Sequence, residues 1–252
     1  VYLFGTFHAL KPGIEWFSGP VRTAYESADE VALEATDTLD AQRMGELVLR
    51  YAIDPDGRTL SSVVGPDLAG QLGERLSTMG VPLAQIEPME PWMAVMTLAQ
   101  LQMQAAGFNP MLGVDVTLQQ SAAEAGKTLT GIEGAEAQLK LLDGFPEERQ
   151  IAWLAMSLRD WDEAPEMLND MLDAWSTGDV ARFADEMVES MEEVPNLNQV
   201  LMVDRNEGFA DWIAERMAQP GIVFMAIGAG HLAGPDSVQD FLRADGITPT
   251  RL

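Results

Sequence analysis

The chain begins and nearly ends on the same plan. Val1-Tyr2-Leu3-Phe4-Gly5-Thr6-Phe7-His8 is an apolar run closing on Gly-x-x-His, and Ile222-Val223-Phe224-Met225-Ala226-Ile227-Gly228-Ala229-Gly230-His231 repeats it. These are the only two histidines in 252 residues. A short apolar run bounded by turn residues reads as a buried strand. Each histidine therefore follows a strand end by the same spacing. The arrangement predicts a fold that brings the two strand ends together and builds the walls of a site from the chain between them.

That intervening chain reads mostly as helix. Val31-Ala32-Leu33-Glu34 and Thr128-Leu129-Thr130-Gly131-Ile132 are two further strands, the second followed directly by Glu133, and Ile247 to Leu252 reads as a last one. Asp40 caps a helix with Met44, Leu47, Val48 and Tyr51 on one face. Helices are expected over Pro66 to Met79, Trp92 to Ala106, Gly113 to Ala125 and Pro235 to Ala244, and helical pattern runs from Glu133 to Met217. Met93, Met96 and Met103 lie on the second of these; methionine suits an adaptable binding surface as well as a core, and the core reading is preferred. Asp160 to Glu193 is markedly acidic and reads as a wet outer face behind a stripe of Met167, Leu168, Met171, Leu172 and Trp175.

Strands separated by helices imply an α/β fold with a central mixed β-sheet. The expected layout is one domain over residues 1–252. Helical stretches around 40–126 and 134–218 are too long for simple crossovers, so they are expected to form a covering layer or lobe.

Composition removes whole classes of function. A net charge of −25 and a pI near 4.1 disfavour nucleic-acid phosphates and anionic lipid, since the few lysines and arginines do not cluster. A neutral or basic peptide is an easier partner than an acidic one. With no cysteine there is no disulfide, thiolate-held metal or thiol nucleophile. No apolar run approaches the ~20 residues of a transmembrane helix. The chain starts at Val1, apparently inside a strand, so a trimmed or processed chain is expected, with any signal peptide lying outside it. Oligomeric state is left open.

In open α/β sheets, ligands gather at the carboxyl ends of strands. The four strand ends here deliver His8, Glu34, Glu133 and His231. Two imidazoles and two carboxylates suit a divalent ion such as manganese, cobalt, iron or zinc. Taken singly, each residue is equally readable as a structural histidine or a surface acid; what joins them is that both histidines occupy matched positions. Gly5, Gly131 and Gly228 permit close approach beside them. Gly228-Ala229-Gly230-His231-Leu232-Ala233 formally fits a dinucleotide fingerprint, but lacks the following strand with its acidic end. His-Glu-x-x-His, phosphate-loop and nucleophile-elbow motifs are absent.

The ordered set Gly5–His8, Val31–Glu34, Gly113-Val114-Asp115, Gly131-Ile132-Glu133, Asp204-Arg205-Asn206 and Gly228–Gly234 resembles the TraB/GumN family. That family is related to the TIKI metalloproteases, which cleave Wnt proteins. The resemblance covers essentially the whole chain. It implies a metal-dependent, peptidase-like site with His8 and His231 as metal ligands. It also implies a periplasmic or extracellular protein acting on a peptide or protein substrate.

On this reading one of Glu34 and Glu133 completes the metal shell and the other serves as general base, which of the two being open. Arg205 stabilises the oxyanion, with an ion pair to Asp204 or Glu207 as its alternative role. Asp115 is a weaker candidate that caps its own helix in the alternative. The rival to a hydrolase is a non-catalytic protein that captures a metal, a haem or a peptide.

Overall fold

Four strands place the site. The computed structural model describes residues 1–191 and 194–252, so the end of the acidic stretch, Glu192-Glu193, lies outside the described residues. In chain order come β1 (Tyr2–Thr6), α1 (Gly19–Ser27), β2 (Glu30–Leu33), α2 (Ala41–Tyr51), α3 (Leu60–Val64), α4 (Pro66–Thr78), α5 (Pro91–Ala105) and α6 (Val114–Ala125). They are followed by β3 (Thr128–Gly131), α7 (Ala135–Asp143), α8 (Glu147–Arg159), α9 (Ala164–Thr177), α10 (Val180–Met191), α11 (Asp204–Met217), β4 (Val223–Gly228) and α12 (Val238–Ala244). No helix among the described residues is long and apolar enough to cross a membrane.

The sheet order is β1-β4-β2-β3, and all three pairings are parallel. The fold is α/β, as expected, but its central sheet is parallel throughout, not mixed. All four carboxyl ends therefore share one edge. The last strand to be made, β4, is inserted between the first two, and it is buried along its whole length. Thr6 pairs with Gly228 and Leu33 with Ala226. The segment carrying Gly228 and His231 is thus flanked by the strand leading to His8 on one side and the strand leading to Glu34 on the other.

Side chains alternate across the sheet, as the pleat requires. Phe224 and Ala226 join Val31, Leu33, Tyr25, Phe108 and Phe183 on one face. Val223, Met225 and Ile227 join Ala32, Phe209, Ile213 and Leu242 on the other. Helices therefore cover both faces of the sheet, and α11 lies on the second. Burying each such large apolar side chain contributes roughly 1.5–3 kcal/mol. A separate core of Leu60, Leu72, Leu76, Leu98, Leu154 and Leu158 joins α3, α4, α5 and α8. The methionine-bearing helix is α5: Met96 packs into this second core and Met103 against the first. On α9, Leu168, Met171, Leu172 and Trp175 face the first core, while Glu166 and Asp173, and Asp162 and Glu163 just before the helix, are exposed.

Residues 247–252 are not a strand. Pro249 has no N–H to give a ladder, and only Ile247 of the segment packs against a core. The chain instead runs over the surface, where Arg251 Nη2 donates to the Gly178 carbonyl at 2.7 Å. The strand ending at His231 is also shorter than its apolar run: β4 stops at Gly228 and a 3₁₀ turn, Ala229–Leu232, carries the histidine.

Candidate active site

The insertion of β4 between β1 and β2 makes three side chains converge. A methyl group placed on Gly228 would lie 3.2 Å from Glu34 Oε1, 3.4 Å from His8 Nε2 and 3.5 Å from His231 Cδ2. The absence of a side chain at Gly228 leaves open the space where these three meet. The Gly228 N–H donates to Glu34 Oε1 at 2.6 Å. Glu133 stands one strand further out, just past the end of β3. Its backbone N–H donates to the Glu34 carbonyl at 2.9 Å, so the two acidic residues are tied together at the main chain.

Strand alternation puts Glu34 on the face covered by α11, and this is where Arg205 enters. A π-helical turn, Gln199–Val203, runs directly into α11 and sets Arg205 and Asn206 in its first turn. Arg205 Nη2 donates to Glu34 Oε2 at 2.5 Å and to Glu133 Oε2 at 2.7 Å. Its Nε donates to Glu133 Oε1 at 2.8 Å, and Nη1 to the Leu201 carbonyl at 3.1 Å. Asp204 and Glu207 are not its partners. Gln138 of α7 closes the network, its amide donating to Glu34 Oε2 at 3.0 Å and Glu133 Oε2 at 3.1 Å.

The two imidazoles are held differently. His8 Nδ1 is 2.8 Å from Asp115 Oδ2. Asp115 reaches it because the start of α6 lies hard against the end of β1: Val114 N–H donates to the Phe7 carbonyl at 3.0 Å. A Cβ on Gly113 would stand 2.2 Å from the His8 carbonyl oxygen. Asp115 thus spends its carboxylate on a histidine and does not cap its helix. His231 Nδ1 is 2.6 Å from Asn206 Oδ1, and its ring meets Phe209 edge-on at 5.0 Å.

Charge follows these partners. Burial works against ionisation of Glu34, but His8 and Arg205 together hold its pKa down at about 2. Burial lowers His231 to about 4, with Arg205 opposing protonation and Glu34 favouring it. Packing of protein around His8 opposes its charge, yet 66% of the side chain is open to solvent. The Asp115 carboxylate therefore decides the direction, raising His8 toward about 9.

As donors, two imidazoles and a carboxylate suit a borderline divalent ion. Engagement of both Nδ1 atoms by a second partner is the usual setting of metal-binding histidines. His231 Nε2 lies 3.9 Å from Glu34 Oε1. Among the described residues no group of three His, Asp or Glu side chains stands ready to hold a metal. The donor types thus suit such an ion, but they are not closed into a shell. Both oxygens of Glu133 are engaged by Arg205 and Gln138.

Gln138 carries no motif of its own, its role being set by what α7 brings opposite Glu34 and Glu133. Asp115 and Asn206 stand in the motifs Gly113-Val114-Asp115 and Asp204-Arg205-Asn206, but their pairing with His8 and His231 is set by packing.

Fold and cluster together define a parallel-sheet α/β protein with a charged site at the carboxyl edge, built on two Gly-x-x-His turns. The chain belongs to the TraB/PrgY/gumN family, whose model matches residues 1–251. It is similar to the uncharacterized protein YbaP of Escherichia coli (strain K12), 28% identical over 165 residues, and equally to YbaP of Shigella flexneri. The alignment covers 66% of this chain and 61% of the length of each relative. No solved structure matches the chain.

Proposed function

We propose that this protein is a hydrolase of peptide bonds that works with a divalent metal ion, manganese, cobalt or zinc, held by His8, His231 and Glu34. The observation that carries the reading is the meeting of Glu34 Oε1, His8 Nε2 and the His231 ring within 3.5 Å of one point beside Gly228. When bound, such an ion lowers the pKa of water and polarises a carbonyl.

The chain's own residues divide the remaining work. Glu133 is the general base, its carboxylate oriented by Arg205 and Gln138 and standing beside the donor set. Arg205 has five N–H donors, and four are spent on Glu34, Glu133 and Leu201 among the described residues. One is left for an oxyanion, a contact whose loss typically costs ~10²–10³ in rate. Asp115 orients His8. The exposed imidazole marks where substrate enters, and the acid excess of the chain favours a neutral or basic peptide. The kinship with TIKI metalloproteases and a periplasmic or extracellular location belong to the same proposal.

One observation favours the second reading, a protein that captures a metal, a haem or a peptide without turnover. Arg205 occupies Glu34 Oε2 and both oxygens of Glu133, which leaves neither oxygen of Glu133 free to take a proton from water. Digestion of a peptide library with added manganese, cobalt or zinc separates the two. Cleavage that a chelator abolishes supports the hydrolase; tight binding with no product, across all three metals, supports capture.

A further inference from the structure

We propose that Asn206 fixes the tautomer of His231, keeping the proton on Nδ1 and turning the Nε2 lone pair into the cluster. Asn206 is then a positioning residue, acting through His231. The inference rests on reading His231 as a working residue of the site, and it deepens that reading by saying what prepares the ring.

The argument starts at a backbone carbonyl. Asn206 Nδ2 donates to the Asp236 carbonyl oxygen at 2.8 Å. Asp236 has φ 56, a left-handed conformation uncommon for a residue with a side chain. A carbonyl can only accept, so the amide group facing it has to be the NH₂. That choice leaves Oδ1 facing His231 Nδ1, at 2.6 Å. An amide oxygen also only accepts, so Nδ1 must be the protonated nitrogen. In the neutral ring the lone pair then belongs to Nε2. Its neighbour Glu34 Oε1 is 3.9 Å away, beyond hydrogen-bond reach, so nothing there demands a proton on Nε2.

The other tautomer sets two lone pairs against each other at the same distance. Asn206 is 3% exposed and His231 4%, so water has little access to relieve them. An unpaired buried polar group is costly, because it has given up its bond to water without gaining another. Burial of the ring and the Arg205 guanidinium nearby oppose the doubly protonated form as well. His8 differs: Asp115 is an acceptor for its Nδ1, but the ring is held charged to about pH 9, so at neutral pH His231 is the ring that offers a lone pair.

With only two imidazoles in the chain, long-range ¹H–¹⁵N correlation spectra of ¹⁵N-labelled protein resolve both rings at neutral pH. The expected result is that His231 in the wild type carries its proton on Nδ1, with Nε2 of the unprotonated type. In Asn206→Leu the proton should move wholly or partly to Nε2, while Asn206→Asp, which keeps an acceptor, should retain Nδ1–H. A proton on Nε2 in the wild type overturns the proposal, as does an unchanged Nδ1–H pattern in Asn206→Leu. If Asn206→Leu does not fold, the wild-type and Asn206→Asp spectra decide, an Nδ1 without its proton in either being contrary. The spectra are taken in chelator without substrate, so they stand even if metal-dependent hydrolysis fails.

Discussion

Arg205 and Glu34 lie 171 positions apart in the chain, and their side chains meet with Nη2 2.5 Å from Oε2. The pair joins the first turn of α11 to the carboxyl end of β2, and through Glu133 it reaches β3 as well. Three elements are thereby fastened at the edge where the two histidines stand.

Removing the guanidinium should be costly. Arg205→Ala leaves Glu34, 8% exposed, with a charge its surroundings no longer offset, and breaking such a pair by deleting one partner costs about 3–5 kcal/mol. A loss of about 3 kcal/mol is expected in urea unfolding. Arg205→Lys should recover only part of it, because an ammonium lacks the planar fork that spans both carboxylates. A loss under about 0.5 kcal/mol, typical of a surface site, would show that the pairing does not hold the edge together.

Gly113 tests how Asp115 is delivered to His8. Its φ of −55 suits alanine, so only steric contact opposes the substitution. A Cβ there would stand 2.2 Å from the His8 carbonyl oxygen and 2.9 Å from that of Pro110. Gly113→Ala should destabilise by ~1–3 kcal/mol, the usual cost of overpacking, and loosen the Asp115–His8 bond. Wild-type stability, together with an unshifted His8 resonance, would contradict the close approach.

Stability should peak near pH 6.5, because the site's groups pull in opposite directions. Glu34, held at about 2 against 4.5, contributes stability present above pH 4.5 and lost as pH falls toward 2. His231, held at about 4 against 6.5, leaves the unfolded chain binding the extra proton, so stability also falls from pH 6.5 toward 4. His8, raised toward about 9, contributes stability that is full below pH 6.5 and lost as pH rises toward 9, weakened by solvent screening of its exposed ring. Calorimetric melting across pH 4 to 9 should show both limbs, with Asp115→Asn flattening only the alkaline one. An alkaline limb unchanged in that variant would remove Asp115 as its cause.

Much of this edge was legible in the sequence, for a physical reason. An apolar run that stops at glycine and histidine announces both a buried strand and a polar end, and β1 and β4 do lie side by side. The matched spacing of His8 and His231 survives as a shared edge. The acids after β2 and β3 were readable in the same way. The run at Ile247 to Leu252 has apolar spacing but is no strand, because Pro249 has no N–H for a ladder. Gln138, and the pairing of Asn206 with His231 and of Asp115 with His8, depend on contacts between residues far apart, set by where α7, α11 and α6 pack, and no local pattern encodes those contacts.

Calorimetric titration with zinc and manganese tests most directly whether the edge is one site made from both ends of the chain. The account predicts one ion bound per chain in the wild type, with His8→Ala and His231→Ala each weakening it by more than about tenfold while the fold is retained. Two folded variants that bind the metal as tightly as the wild type, or a wild type that binds neither ion, would contradict it.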